Sequence, residues 1–131
     1  MARIQRFEDI EAWKKSRALT KQIYDASKIG QFARDFGLKD QMQRASVSTM
    51  SNIAEGFERG GDQEFIQHLA MAKGSCGELR SQLYVALDQG YLSQATIKGL
   101  YAEEINRMIA GFMSYLEKSP LRGARKTSKT R

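Results

Sequence analysis

Residues 62–89 read DQEFIQHLAMAKGSCGELRSQLYVALDQ and carry the clearest helical pattern in the chain. Apolar side chains recur there at steps of three and four residues, which places them on one face of a helix. That face consists of Phe65, Leu69, Ala72, Cys76, Leu79, Leu83, Ala86 and Leu87. Asp62 is a good N-cap, and Gly90 suits the position just after a helix C-terminus. The segment therefore predicts one long helix with a single buried face.

Three further segments also show helical periodicity. They are residues 7–28, 38–57 and 93–116. Asp35 and Ser93 are candidate caps for the second and fourth helices, and the only proline, Pro120, follows the last helix. Because short connections between long helices make neighbours antiparallel, we expect an all-α, antiparallel up-down-up-down four-helix bundle over residues 1–118.

The composition excludes several classes of protein. A chain of 131 residues with 41% hydrophobic and 27% charged residues suits one globular domain. The single cysteine, Cys76, rules out an internal disulfide. No run approaches the roughly 18 apolar residues of a membrane span, and the N-terminus lacks the apolar stretch of a signal peptide. We therefore expect a cytoplasmic protein that does not associate with membranes.

The positive charge is concentrated at the C-terminus. The net charge is +6, and residues 119–131 contribute +5 of it, which leaves +1 for residues 1–118. The basic residues there are Arg122, Arg125, Lys126, Lys129 and Arg131. We expect a flexible basic tail that neutralises phosphates of RNA or DNA without reading their sequence, and the alternative is a solubilising tail. The near-neutral body does not by itself supply a strongly basic surface.

The sequence lacks the residue patterns typical of enzymes and metalloproteins. His68 is the only histidine and Cys76 the only cysteine, and neither has a second ligand or catalytic partner at motif spacing. The glycines near residues 60 and 74 follow no predicted strand and precede no Gly-Lys-Ser/Thr, so they do not form a phosphate-binding loop. We expect a protein that is not an enzyme and that takes no metal or cofactor.

The second helix is unusually polar for a helix that must be largely packed. Arg44, Asn52, Glu55 and Arg59, together with Glu78 of the third helix, are candidate contact residues. Glu55 and Arg59 are four residues apart and can form an ion pair, while Arg44 and Glu78 can pair across neighbouring helices. Because buried charges must be paired, we expect these residues at helix contacts or at a subunit interface. A ligand or nucleic-acid site is the alternative.

Several short motifs resemble those of one known family. The most distinctive is Asn52-Ile53-Ala54-Glu55-Gly56, followed by Arg59. The others are Phe7, Ile10, Trp13, Tyr24, Leu38-Lys39-Asp40-Gln41, Arg44-Ala45-Ser46-Val47-Ser48, Phe65, Ala72, Gly74-Ser75, Glu78 and Gly90-Tyr91. Together they cover about residues 7–116. In these motifs the chain is similar to the proteins encoded within intervening sequences of bacterial 23S ribosomal RNA genes.

The resemblance implies a four-helix bundle that assembles as a homopentamer. The family's fold is similar to the accessory variability protein of diversity-generating retroelements, a pentamer that binds nucleic acid and a reverse transcriptase, so it implies nucleic-acid binding by analogy of fold. A cyclic assembly joins two different patches of each subunit, and the polar residues of the second helix are our candidates for setting its register. We expect a homo-oligomer that binds RNA or DNA. The alternative is an adaptor or scaffold that docks a polymerase or a ribosomal component.

Overall fold

A computed structural model describes residues 4–118, and the tail at residues 119–131 lies outside the described residues. The helices are α1 (Glu11–Ala26), α2 (Phe36–Arg59), α3 (Asp62–Asp88), α4 (Gln94–Lys98) and α5 (Ala102–Lys118), with 3-10 turns at Phe7–Asp9 and Phe32–Arg34. Residues 4–118 contain no strand, so the prediction of an all-α protein is confirmed. None of the helices in this part of the chain is long and apolar enough to cross a membrane.

The four long helices enclose one hydrophobic core. α2 packs on α3, α3 packs on α5, and α1 contacts both α2 and α5, which closes the ring of a bundle. Every long helix contributes fully buried side chains, among them Leu19, Ile23, Met42, Ile53, Phe65, Leu69, Leu79, Ile105, Ile109 and Leu116. Each such side chain stabilises the fold by about 1.5–3 kcal/mol relative to an exposed one.

Two helix N-termini are capped as their sequences predicted. The Asp35 carboxylate accepts a hydrogen bond from the Leu38 N–H at 3.2 Å at the start of α2. The Ser93 hydroxyl accepts one from the Thr96 N–H at 3.1 Å at the start of α4. Asp35 also accepts a hydrogen bond from the Tyr91 hydroxyl at 2.9 Å, so the cap of α2 is tied to the chain that leaves α3.

The two ends of α3 differ in how well the sequence located them. At the C-terminus Gly90 has φ +75°, and the N–H groups of Gly90 and Tyr91 donate to carbonyls of the last turn at 3.0 and 2.9 Å. These are both bonds of a Schellman motif, which needs a left-handed residue at this position. At the N-terminus the expected cap is shifted by one residue, because Gly61 holds the N-cap position and Asp62 is the first helical residue.

The predicted fourth helix is in fact two helices. α4 ends at Lys98 and α5 begins at Ala102, and between them Tyr101 has φ +55°. This left-handed conformation costs a non-glycine residue roughly 1–2 kcal/mol. The sequence pattern hid the break because Leu100 and Ile105, on either side of it, are both buried in the core. Apolar periodicity therefore continues across a segment whose backbone is not helical.

The first predicted helix is also interrupted. Residues 7–9 form a 3-10 turn, and Ile10, with φ −79° and ψ 121°, separates that turn from α1. Phe7 nevertheless packs edge-to-face on Trp13, with ring centroids 5.1 Å apart. Phe7 thus continues the apolar pattern of α1 although it lies outside the helix.

Candidate functional site

The segment Asn52-Ile53-Ala54-Glu55-Gly56 lies where the last turns of α2 meet the first turns of α3. A Cβ atom on Gly56 would lie 2.6 Å from the Cβ of His68 and 2.9 Å from Cδ1 of Phe65. Contacts this short do not occur between real side chains, so glycine permits the close approach of the two helices here. The residue on the inner side of the same turn, Ile53, is completely buried.

Beside Gly56, three titratable side chains meet at the surface. Arg59 Nη2 donates to Glu55 Oε2 at 2.8 Å, which is the ion pair that their spacing predicted. His68 Nε2 lies 3.6 Å from the same Glu55 oxygen, and only 13% of the His68 side chain is exposed. The hydrogen bond from Arg59, aided by the nearby charges, holds the pKa of Glu55 below its ordinary value. The carboxylate of Glu55 thus joins side chains from α2 and α3.

The His68 ring is fixed from its other side as well. Its Nδ1 atom lies 3.0 Å from the carbonyl oxygen of Glu64. A carbonyl oxygen only accepts hydrogen bonds, so this bond requires the proton on Nδ1. The Glu64 carbonyl and the Glu55 carboxylate thus lie at opposite nitrogens of the His68 ring and fix its orientation between the two helices.

Further along the same helix pair, hydroxyl groups hold the two helices together. The Oγ atoms of Ser48 and Ser75 are 2.8 Å apart and share a hydrogen bond. Asn52 Nδ2 donates to the Ser48 carbonyl at 2.9 Å and to its Oγ at 3.1 Å. Asn52 therefore supports the α2–α3 contact through Ser48 instead of reaching α3 itself.

The structure corrects one expectation for the polar side of α2. Arg44 is not paired with Glu78 on the neighbouring helix, because its Nε donates to Asp40 Oδ2 at 2.9 Å within α2. The Arg44 side chain is 79% exposed, and those of Glu55 and Arg59 are each 51% exposed. These three charged residues thus lie on the outer side of the helix pair, where Glu55 still contacts His68 of α3.

The five cations predicted to bind nucleic acid lie outside the described residues. They are Arg122, Arg125, Lys126, Lys129 and Arg131.

The lone cysteine lies in the core and takes no part in this surface. Cys76 is completely buried, and its thiol donates to the Ala102 carbonyl at 3.3 Å. Burial raises the pKa of Cys76 to about 11, so the thiol is protonated at neutral pH. Within residues 4–118 no group of three or more histidine, cysteine or acidic side chains is arranged to hold a metal ion.

A groove that the sequence analysis missed lies between the C-terminal half of α3 and the break between α4 and α5. Its volume is about 380 Å³. Tyr84 and Tyr101 line it, and they are 70% and 60% exposed. Neither tyrosine belongs to an apolar stripe, and the distance between them along the chain hides their proximity. The exposed position of Tyr101 depends on the helix break, whose local signal is Gly99, the C-cap residue of α4, and the continuing apolar periodicity masked that signal.

Two arginines of this groove are held in place by Asn106 and Glu103. Arg80 Nη1 donates to Asn106 Oδ1 at 3.3 Å, and Arg80 Nη2 lies 4.0 Å from Glu103 Oε2. Arg107 Nη1 lies 3.4 Å from the same Glu103 oxygen. Asn106 itself is buried and donates to the Lys73 carbonyl at 3.1 Å, so it fixes the place of Arg80. The groove thus combines exposed aromatic rings with positioned guanidinium groups.

These observations define a small all-helical bundle in which the Asn-Ile-Ala-Glu-Gly segment of α2 packs closely against the start of α3. The family model described as 23S rRNA-intervening sequence protein matches residues 8–111. The chain belongs to this family, as its motifs indicated. A comparison with curated proteins gave no match.

Proposed function

We propose that this protein is a non-enzymatic, homo-oligomeric bundle that binds RNA or DNA through its C-terminal basic residues. The separation of charge carries this proposal. Of the 21 lysines and arginines, five lie in residues 119–131 and one is Arg3, so 15 remain in residues 4–118 beside all 15 acidic residues. A balanced body exerts little net attraction on a polyanion, so the attraction is assigned to the tail. The cytoplasmic location expected from the sequence stays a prediction.

Assembly into a cyclic pentamer is proposed to use the outer face of α3. Met71 and Val85 are 54% and 44% exposed, and their spacing of nearly four helical turns puts them on one face. Gly74 lies between them, and a Cβ atom there would meet nothing within 4 Å. A glycine inside a helix costs about 1 kcal/mol relative to alanine, and nothing within the subunit explains that cost. The close approach of a neighbouring subunit would explain it.

The up-down-up-down helix order is part of the same proposal. α2 and α3 meet at Ser48 with Ser75 and again at Phe57 with Phe65. Residue numbers rise along α2 while they fall along α3, which supports an antiparallel pair. In such a bundle the exposed Arg44, Glu55 and Arg59 of α2 are available to contact a neighbouring subunit and to set its register.

Oligomerisation would make a weak tail effective. A single tail contacts few phosphates, whereas several tails on one particle bind the same polyanion with avidity that exceeds a single contact by about 10²–10⁴-fold. Because each phosphate contact releases counterions, such binding should weaken steeply as salt is added.

The test compares three full-length proteins by fluorescence anisotropy with labelled RNA and DNA over a series of salt concentrations. One is the wild type, and the second has all five tail cations changed to glutamine. The control has five exposed body cations changed to glutamine, namely Lys14, Arg17, Lys21, Lys28 and Arg34. The tail variant should lose affinity, and its log–log salt slope should fall by about 0.9 per lost duplex contact. Unchanged binding by the tail variant, or no binding by the wild type, would overturn the proposal.

A further inference from the structure

We propose that the groove between α3 and the α4–α5 break, which Tyr84 and Tyr101 line, binds single-stranded nucleic acid. Its unpaired bases would stack on the two tyrosine rings. The inference rests on the proposed nucleic-acid binding and adds a site on the bundle to the one assigned to the tail.

The first observation is the exposure of two aromatic rings in one groove. Tyr84 comes from α3, whereas Tyr101 comes from the link between α4 and α5, and both line the same space of about 380 Å³. Exposed rings offer their faces to other planar groups, and bases stack on such rings whatever their identity. Two rings from different elements therefore form a platform that depends on the tertiary structure.

The second observation is the backbone of Tyr101. Its φ of +55° is strained for a bulky residue such as tyrosine, and residues held in this conformation cluster at functional sites. The conformation is held from both sides, because Leu100 is buried and the Ile105 N–H donates to the Tyr101 carbonyl at 3.0 Å. Glycine would relieve the strain at this position, but it would lack the ring.

The third observation is the local charge. Arg80, Lys98 and Arg107 line the groove, and Lys15 Nζ lies 6.0 Å from the centre of the Tyr101 ring. The acidic side chains that line it are Glu103 and Glu104. The three lining cations exceed the two lining acids by one, so the groove carries a local charge of about +1 in a body whose cations and acids balance. The average charge of the body thus conceals a basic, aromatic groove.

Together these features favour a single strand over a duplex. Bases in a duplex are already stacked on one another, so they gain nothing from the tyrosine rings. An unpaired strand gains both the stacking on the rings and the attraction between its phosphates and the guanidinium groups.

The experiment separates stacking from charge. Full-length protein is titrated with an oligothymidylate of about 12 nucleotides, within the usual site size, with an abasic strand of equal length and charge, and with a duplex. The variant is Tyr84→Leu with Tyr101→Asn, since asparagine tolerates the left-handed conformation. Tyr24→Leu is the matched control, because Tyr24 is an exposed tyrosine on α1 that does not line the groove.

The wild type and the control should prefer the oligothymidylate over the abasic strand by about 5- to 150-fold for each stacked base. The double variant should lose this preference while its affinity for the abasic strand stays unchanged. A second measurement uses only the wild type: nitration of Tyr84 and Tyr101, read by peptide mass spectrometry, should be suppressed by the oligothymidylate and not by the abasic strand.

The outcomes distinguish this inference from the proposed function. Equal affinity for the two strands, or nitration of both tyrosines in the presence of oligothymidylate, overturns the groove and leaves tail-dependent binding standing. No binding of the wild type to any of the three nucleic acids overturns the groove, and if the labelled RNA of the salt series is not bound either, both proposals are overturned. If the double variant binds the abasic strand less well because its fold is damaged, the nitration result decides.

Discussion

The contact between α2 and α3 can be tested by adding a single methyl group. Gly56→Ala would place the new carbon 2.6 Å from His68 Cβ and 2.9 Å from Phe65 Cδ1. The Cβ of His68 is attached directly to the backbone of α3 and cannot turn away. Phe65 is completely buried, with its ring 5.9 Å from that of Phe57 and 5.3 Å from that of Phe112. Relief of the overlap therefore requires the two helices to move apart.

Two opposing effects determine the change in the free energy of unfolding. Overpacking of a tight contact costs about 1–3 kcal/mol. Replacing glycine with alanine inside a helix contributes about 1 kcal/mol in the other direction. Gly111→Ala supplies the matched control, because Gly111 lies inside α5 and a Cβ atom there meets nothing within 4 Å. Since both variants gain the same helix propensity, their difference isolates the contact.

Chemical and thermal denaturation at one protein concentration would measure this difference, since an oligomer's stability depends on concentration. We expect Gly56→Ala to be less stable than Gly111→Ala by about 2 kcal/mol, which is a difference in Tm of about 8 °C at about 4 °C per kcal/mol. The reasoning would be refuted if Gly56→Ala were as stable as Gly111→Ala, because the two helices would then not depend on glycine for their approach.

Two further predictions concern residues on α3. Gly74→Arg, which meets open space within the subunit, should lower the oligomeric state seen by sedimentation while the helical circular dichroism spectrum is retained; an unchanged oligomer would exclude this face as the interface. The Cys76 thiol, which is buried and has its pKa raised to about 11, should react with a disulfide reagent at pH 8 only at the rate of unfolding, so rapid reaction of the native protein would contradict its placement in the core.

Local chemistry allowed several features to be predicted from neighbouring residues alone. The cap at Asp35 depends on a side-chain acceptor at the start of α2. The left-handed turn at Gly90 depends on the backbone freedom of a glycine just after α3. The Glu55–Arg59 pair depends only on a spacing of four. The pairing of Arg44 with Glu78 was predicted incorrectly, because Asp40, four residues earlier on the same helix, is its partner at 2.9 Å.

The apolar periodicity of residues 62–89, and of the other three periodic segments, was sufficient to predict an all-helical chain. The same periodicity indicates which side of each helix is buried. Only the tertiary structure decided what lies opposite each residue. Gly56 and Gly74 look alike in the sequence, yet one faces Phe65 and His68 across a helix contact and the other faces open space. Tyr84 and Tyr101 share a groove because the backbone breaks at Tyr101. Periodicity along one helix carries no information about contacts between residues of different helices, because these contacts depend on how the helices pack against one another.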